Sequence, residues 1–236
     1  MNLYGKNQVM ERLKSKPKSI KKIFFNQKSD LAAIRAKANE KKIPFVVLRE
    51  KEFLIMAKNA NTQGVIALVE EFLYQDLDGL LELEQKDKYV LIALSNITDP
   101  QNLGSILRTA ACFGKFALII PKHRTVTITE TVLRVACGGE NYVPIVQVTN
   151  LINALEKAKD AGYWVAGSVV DEGENVVNFK FPFPLCLVIG SEGKGIRPGL
   201  LSHLDYRLKL LMPGKELSLN AAVATAVFCY EIMKQR

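Results

Sequence analysis

From residue 89 onward the chain alternates short apolar runs with stretches of helical rhythm, and this alternation constrains the fold more than any other feature of the sequence. The runs YVLIAL, FALII, YVPIVQV, YWVAGSVV, LCLVIG and YRLKLLM suit strands, while residues 100–113, 127–137, 151–161 and 218–234 repeat their apolar residues at helical spacing. Strands this uniformly apolar are covered on both faces, which predicts an α/β fold with a largely parallel sheet between helices over residues 89–236. Ligands of such sheets sit beyond the carboxyl ends of the strands, so the residues just after each run are where chemistry is expected.

The first third has a different character. IKKIFF and IPFVVL read as strands flanking a helix over residues 30–42, and GVIALVEEF reads as another strand, giving a small α/β module over residues 1–72. Residues 73–88 are polar and acidic and read as a linker. Fifteen of the 32 Lys and Arg, but only seven of the 24 Asp and Glu, fall in residues 1–72, so this module carries the whole net charge of +8. Between Lys6 and Lys28 there are eight cations and one acid, Glu11, with Phe24 and Phe25 nearby. Lys6, Arg12, Lys14, Lys16, Lys18, Lys21 and Lys22 are therefore candidate contacts to a polyanion such as RNA; the other reading is a solvated lysine-rich face. No apolar run approaches the roughly 20 residues of a membrane span, and the basic start lacks the apolar core of a signal peptide, so a cytoplasmic protein is expected. The four cysteines form no CxxC pair and the two histidines are isolated. That pattern suggests no metal site and no disulfide framework, and the thiols read as reduced core residues.

Three stretches carry residues that such a fold does not require. In SNITDPQNLGSILRTAACFG, residues 95–114, Pro100 falls in the first turn of a helix and Gly114 lies just past its end. Leu103, Ile106, Leu107 and Ala110 form its apolar stripe, and Asn96, Asn102 and Arg108 lie outside it. In LVIGSEGKGIRPGL, residues 187–200, a strand empties into a loop with glycines at 190, 193 and 195. That spacing fits neither GxGxxG nor the GK[ST] ending of a Walker loop, which weighs against a nucleotide triphosphatase. In LLMPGKELSLNAAVATAVFCYE, residues 210–231, a strand and a glycine loop lead into a helix expected to begin at Ser218, a natural N-cap whose neighbouring amides favour an anion.

Taken together, these stretches resemble the SpoU-TrmH family of RNA ribose 2′-O-methyltransferases, within the SPOUT superfamily, and in particular its ribosomal RNA guanosine branch. The family motif N-x-x-D-P-x-N-x-G-x-x-x-R-T-A-x-x-F-G is matched by Asn96, Asp99, Pro100, Asn102, Gly104, Arg108, Thr109, Ala110, Phe113 and Gly114. G-x-E-G-x-G is matched by residues 190–195, and the third motif by residues 210–220. The resemblance implies a deep trefoil knot in the carboxyl-terminal sheet domain, a ribosomal-protein-like RNA-binding module before it, a homodimer, and S-adenosylmethionine as cofactor, with no metal. It implies cofactor contacts at Gly190, Leu210 and Leu219, and it places Arg108 beside the target phosphate and 2′-hydroxyl, as base or as fixed positive charge. Asn102 and Asn220 would orient the ribose and phosphate, Ser218 would bind a phosphate, and Glu192 would order the pocket or hold Arg108. Ribosomal RNA is favoured over transfer RNA. A non-catalytic RNA-binding relative of the same fold and an enzyme acting on a base nitrogen are the rival readings. The chain departs from the pattern where H-Q-G reads Thr62-Gln63-Gly64, where G-x-H-A-V reads GKNQV, where I-P-M reads LLMPG, and at Ala222, which takes the place of a frequent serine.

Overall fold

The computed structural model describes residues 1–58, 60–83, 88–214 and 218–236. Its first unit is a four-stranded sheet in the order β1-β4-β2-β3, built from β1 (Asn2–Tyr4), β2 (Ile20–Asn26), β3 (Phe45–Leu48) and β4 (Val65–Val69). Helices α1 (Lys6–Ser15) and α2 (Ala32–Glu40) cover one face through Val9, Leu13, Ile34 and Ala38, and α3 (Glu50–Ala57) covers the other through Phe53 and Ala57. Sequence reading missed α1 because its apolar stripe is only Val9 and Leu13, with Met10 partly buried, inside a run of charges. Phe25 is a core residue, edge-on to Phe45 at 5.4 Å, and only Phe24 is partly open, with the Lys22 ammonium 5.5 Å above its ring.

The second unit is a parallel seven-stranded sheet in the order β7-β6-β5-β10-β8-β11-β9. Its strands are β5 (Val90–Leu94), β6 (Phe116–Pro121), β7 (Ile145–Val148), β8 (Trp164–Ser168), β9 (Glu174–Asn175), β10 (Leu185–Ile189) and β11 (Tyr206–Lys209). Alternation within β5 divides the core: Val90, Ile92 and Leu94 point to one face, Leu91 and Ala93 to the other. The first face is covered by α5 (Pro100–Phe113), α6 (Glu130–Ala136) and α9 (Ala221–Gln235). The second is covered by α4 (Leu77–Leu81), α7 (Leu151–Asp160) and α8 (Pro198–Leu201). Helix α5 has the ends its sequence predicts: Asp99 Oδ1 accepts from the Gln101 amide at 2.9 Å, Pro100 opens the helix, and Gly114 leaves it at φ +71°. Its predicted stripe is fully buried.

The stretch expected to be a linker is packed where it is described, and residues 84–87 of it lie outside the described residues. Gln75 donates its amide to Ile145 O beside β7, Tyr74 Oη accepts from the Ile128 amide at 3.1 Å, and Leu77, Leu80 and Leu81 are buried under the sheet. An amphipathic pattern of leucines among acids explains both the polar look of the stretch and its packing. The two units are also joined directly. The Asn2 amide and Tyr4 hydroxyl donate to Glu130, Gln8 Nε2 donates to Arg134 O at 2.7 Å, and Tyr142 Oη donates to Glu11 at 2.8 Å. At the centre of this seam Arg12 pairs with Glu140 at 3.0 Å, the two side chains 8% and 0% exposed. Arg12, expected among the polyanion contacts, is thus withdrawn from solvent and holds the units together. Two cysteines are core thiols as read, Cys186 and Cys229, each pushed up to about 12 by burial. Cys112 is not: it lies on the exposed face of α5.

Candidate active site

A cleft of about 780 Å³ opens at the carboxyl ends of β8, β10 and β11. One wall is the loop after β10, which folds back on itself: Ser191 and Gly195 exchange backbone hydrogen bonds at 3.2 and 2.9 Å, with Gly193 at φ +72° and Gly195 at φ +62°. Gly190 is required by that fold-back, because a Cβ there would lie 2.1 Å from the Gly195 carbonyl carbon. The absent side chain admits the loop's own backbone before it admits any ligand. Gly190, Leu210 and Leu219, the three expected cofactor contacts, all line this cleft, with Ile189 and Val169 adding apolar surface. Asp171 also lines it and was not singled out from sequence; its place just beyond the carboxyl end of the YWVAGSVV run was the available signal.

At the lip of the cleft the three sequence motifs meet in one hydrogen-bonded cluster. Asn102 Nδ2 donates to Glu192 Oε1 at 2.9 Å, and Asn220 Nδ2 reaches Glu192 Oε1 at 2.6 Å and Asn102 Oδ1 at 2.7 Å. The Ala221 amide donates to the same Glu192 oxygen at 3.2 Å. A carboxylate at the amino end of a helix is favoured by the helix dipole and its open amides. The structure revises two expectations here. Helix α9 begins at Ala221, not at Ser218, and its cap is Asn220, whose Oδ1 accepts from the Ala222 and Val223 amides. Ser218 stands free of the helix, exposed on the wall of the cleft. Glu192 holds the two asparagines and not Arg108.

Arg108 emerges elsewhere. It lines a separate cleft of about 450 Å³ between α5, residues 136–142 and α1, together with Asn7, Glu11 and Lys14. Its Nη1 donates to Cys137 Sγ at 3.7 Å, and Gly139 sits so close that a Cβ there would lie 3.1 Å from Arg108 Cα. Within one chain, Arg108 and the residue 190–195 loop therefore line different clefts. Of the basic candidates, Lys6, Lys14, Lys16, Lys18 and Lys21 are exposed, Lys22 is partly covered, and Arg12 is buried. Thr62-Gln63-Gly64 and the GKNQV stretch, two of the departures from the family pattern, meet in space: Gln63 Oε1 accepts from the Lys6 amide at 3.0 Å at the start of α1. Among the described residues no helix is long and apolar enough to cross a membrane.

Comparison with known proteins gives a consistent result. The SpoU rRNA Methylase family matches residues 89–230, and the family described as RNA 2′-O ribose methyltransferase substrate binding matches residues 3–75. A Staphylococcus haemolyticus protein named for the TrmH family of tRNA/rRNA methyltransferases is 37% identical over 240 residues, covering 99% of this chain and 95% of its own. The 23S rRNA (guanosine-2′-O-)-methyltransferase RlmB of Pseudomonas putida is 35% identical over 240 residues, covering 99% and 96%. Among solved structures, the SpoU methyltransferase AviRb from Streptomyces viridochromogenes, crystallised with AdoMet, superposes with a TM-score of 0.82 at 23% identity, covering 100% of this chain and 90% of its own.

Proposed function

The chain belongs to the SpoU rRNA methylase family of RNA methyltransferases, and from that premise we propose that it moves a methyl group from S-adenosylmethionine to a ribose 2′-hydroxyl of structured ribosomal RNA, working as a homodimer. The observation that carries the reading is the Asn102–Glu192–Asn220 cluster, which draws the three motifs to the lip of one cleft. The cleft suits the cofactor: Leu210, Leu219 and Ile189 offer apolar surface to a purine, the fold-back loop offers backbone groups, and Asp171 and Glu192 offer carboxylates to a cationic ligand. When bound, S-adenosylmethionine supplies a methyl group carried on a positively charged sulfur. The chain's own residues then have two tasks, aligning the 2′-oxygen and stabilising the alkoxide that develops on it. Arg108 serves the second as fixed charge, since a guanidinium very rarely releases a proton. Ser218 offers a hydroxyl to the substrate phosphate, and Asn102 and Asn220 hold Glu192 and shape the lip.

Two features support the dimer. Arg108 and the cofactor loop line different clefts of one chain, so a second copy bringing its own Arg108 would complete the site. Helix α9 also exposes Val223, Val227, Tyr230 and Met233, spaced four, three and three, opposite its core face. Such an apolar stripe is suited to burial against another copy. The knotted path that the family resemblance implies is part of the same proposal, and the insertion of β10 between β5 and β8 is consistent with it. Ribosomal rather than transfer RNA is favoured by the likeness to the 23S rRNA methyltransferase of Pseudomonas putida.

The test is transfer of tritiated methyl to RNA from cells lacking the protein. Label is expected at a 2′-oxygen, where it blocks alkaline cleavage of the adjacent phosphodiester, and transfer should persist in excess chelator. A methylated base with every ribose hydroxyl free would overturn the assignment.

A further inference from the structure

The same edge of the large sheet holds a second cleft, of about 630 Å³, that the proposed chemistry leaves unused. It lies beyond the carboxyl ends of β5, β6 and β7, and the loop after β10 divides it from the cofactor cleft. Residues 190–193 and Gly195 of that loop face the cofactor side, whereas Arg197 and Leu200 face this one. The division is fixed at its root, where the Arg197 amide donates to the hydroxyl of fully buried Ser95 at 3.4 Å.

The lining has two parts. Leu151 and Leu200 are buried and give an apolar floor, while His123, Arg124 and Arg197 are exposed at the rim. No Asp or Glu is among the lining residues, and among the described residues neither guanidinium has a hydrogen-bond or ion-pair partner. Two unpaired arginines at the mouth of one acid-free cleft create a potential that favours an anion. Asn96 at φ +61° and Arg124 at φ +59° both line the cleft in the left-handed region, which residues with a Cβ seldom adopt. Clustering of such positions is characteristic of ligand sites. The two loops that carry them are tied together, with Thr125 Oγ1 donating to Ile97 O at 2.6 Å and the Val126 amide to the same oxygen at 3.0 Å. Asn96 opens the first sequence motif and yet takes no part in the Asn102–Glu192–Asn220 cluster; this cleft is where it lies.

We propose that this cleft is a second nucleotide subsite, which takes a nucleotide of the RNA chain other than the one methylated. Its phosphate lies between Arg124 and Arg197, its base against Leu151 and Leu200, with the His123 imidazole at the rim. A bare phosphate would use the arginines but not the apolar floor, and an apolar ligand would use the floor but not the charge; a nucleotide uses both, and the volume falls in the range of small-ligand sites. The inference rests on the RNA reading above and adds to it a residue set that positions the RNA chain beside the target.

The experiment measures RNA binding apart from methyl transfer. Full-length protein saturated with S-adenosylhomocysteine is titrated with unmodified ribosomal RNA by filter binding at several salt concentrations, as wild type, as Arg124→Gln/Arg197→Gln and as Arg124→Lys/Arg197→Lys. Losing two phosphate contacts should weaken binding about ten-fold or more and flatten the slope of log K against log salt by about 1.4, at roughly 0.7 per contact to a single strand. The lysine variant should recover most of the slope, which a merely folding-related loss would not do. Affinity for S-adenosylhomocysteine should be unchanged in both. An unaltered slope and affinity in the glutamine variant would overturn the subsite even if the wild type methylates ribose. A weakened variant beside a wild type that methylates no ribose would keep the subsite and overturn the function.

Discussion

Replacing Arg12 by Met tests whether the first unit is a docked part of the enzyme or a tethered RNA hook. Met keeps the apolar stem of the arginine, so little cavity forms, and the change isolates the loss of the guanidinium from Glu140. Breaking one side of a buried ion pair costs about 3–5 kcal/mol, because the remaining charge keeps its desolvation without its partner. Here Glu140 keeps one weak donor, Asn141 Nδ2 at 3.4 Å, while its Oε2 has no partner, so the lower end, about 3 kcal/mol, is expected. Urea unfolding followed by circular dichroism and by the fluorescence of Trp164 should show a midpoint lowered by about 1 M, for a slope of roughly 3 kcal/mol/M. Arg12→Met/Glu140→Met should regain most of the loss, since a buried pair replaced by apolar groups of similar volume is often neutral. The reasoning fails if Arg12→Met unfolds within about 1 kcal/mol of wild type while its RNA affinity drops and loses salt dependence. That outcome would make Arg12 the phosphate contact its sequence neighbourhood suggests.

Arg108→Lys retains the charge but loses the planar fork, so methyl transfer should fall by about two orders of magnitude with cofactor affinity nearly unchanged by calorimetry; loss of cofactor binding would instead show Arg108 to be structural. Asn220→Ala removes the α9 cap, worth about 1 kcal/mol, together with one bond to Glu192 and one to Asn102, so thermal stability and cofactor affinity should fall together, and an effect on RNA affinity alone would contradict the cluster. Alkaline pH should destabilise the fold through Cys186 and Cys229: their pKa values, near 9 in the unfolded chain, are raised by burial to about 12. The stability they support is therefore whole below pH 9 and is lost as pH rises toward 12, by roughly 1.4 kcal/mol per pH unit for each thiol. Urea midpoints at pH 8 and pH 10 measure this, and Cys186→Ala should flatten the decline.

What could be read from the sequence followed from local rules. The strands β5, β6 and β10 are uninterrupted apolar runs, and α5 carries Asp99, Pro100 and Gly114 at its ends, so their positions were legible residue by residue. Helix α1 was not, because a run with Lys6, Arg12, Lys14 and Lys16 has the same charge whether it is a solvated tail or a docked helix, and only Glu140, 128 positions from Arg12, distinguishes the two. The start of α9 was misplaced for a related reason. Ser218 and Asn220 are both good caps, and the choice was made by Glu192, which draws the Asn220 amide and the Ala221 N–H to one oxygen. The site motifs were visible as residue types, but their grouping was not. Asn102, Glu192 and Asn220 come together because β5 and β10 are neighbours in the sheet, a pairing that no local pattern encodes.

The docking of the first unit changes how charge there can act on a reaction in the second. A flexible tether raises the effective concentration of bound RNA but leaves its register undefined. The seam from Asn2 to Tyr142 removes that freedom, and it places α1 so that Asn7 and Lys14 share a cleft with Arg108. If the exposed lysines of residues 14–21 bind the substrate RNA, the seam holds that RNA at a fixed spacing from the Arg108 guanidinium. If register is what the seam provides, loosening it should cost selectivity among nucleotides before it costs affinity for RNA. Arg12→Met/Glu140→Met, stable but without its specific pair, separates the two: sequencing of methylated positions should show new minor sites at unchanged RNA affinity. A single methylated position in that variant, at wild-type yield, would mean that the register is set elsewhere.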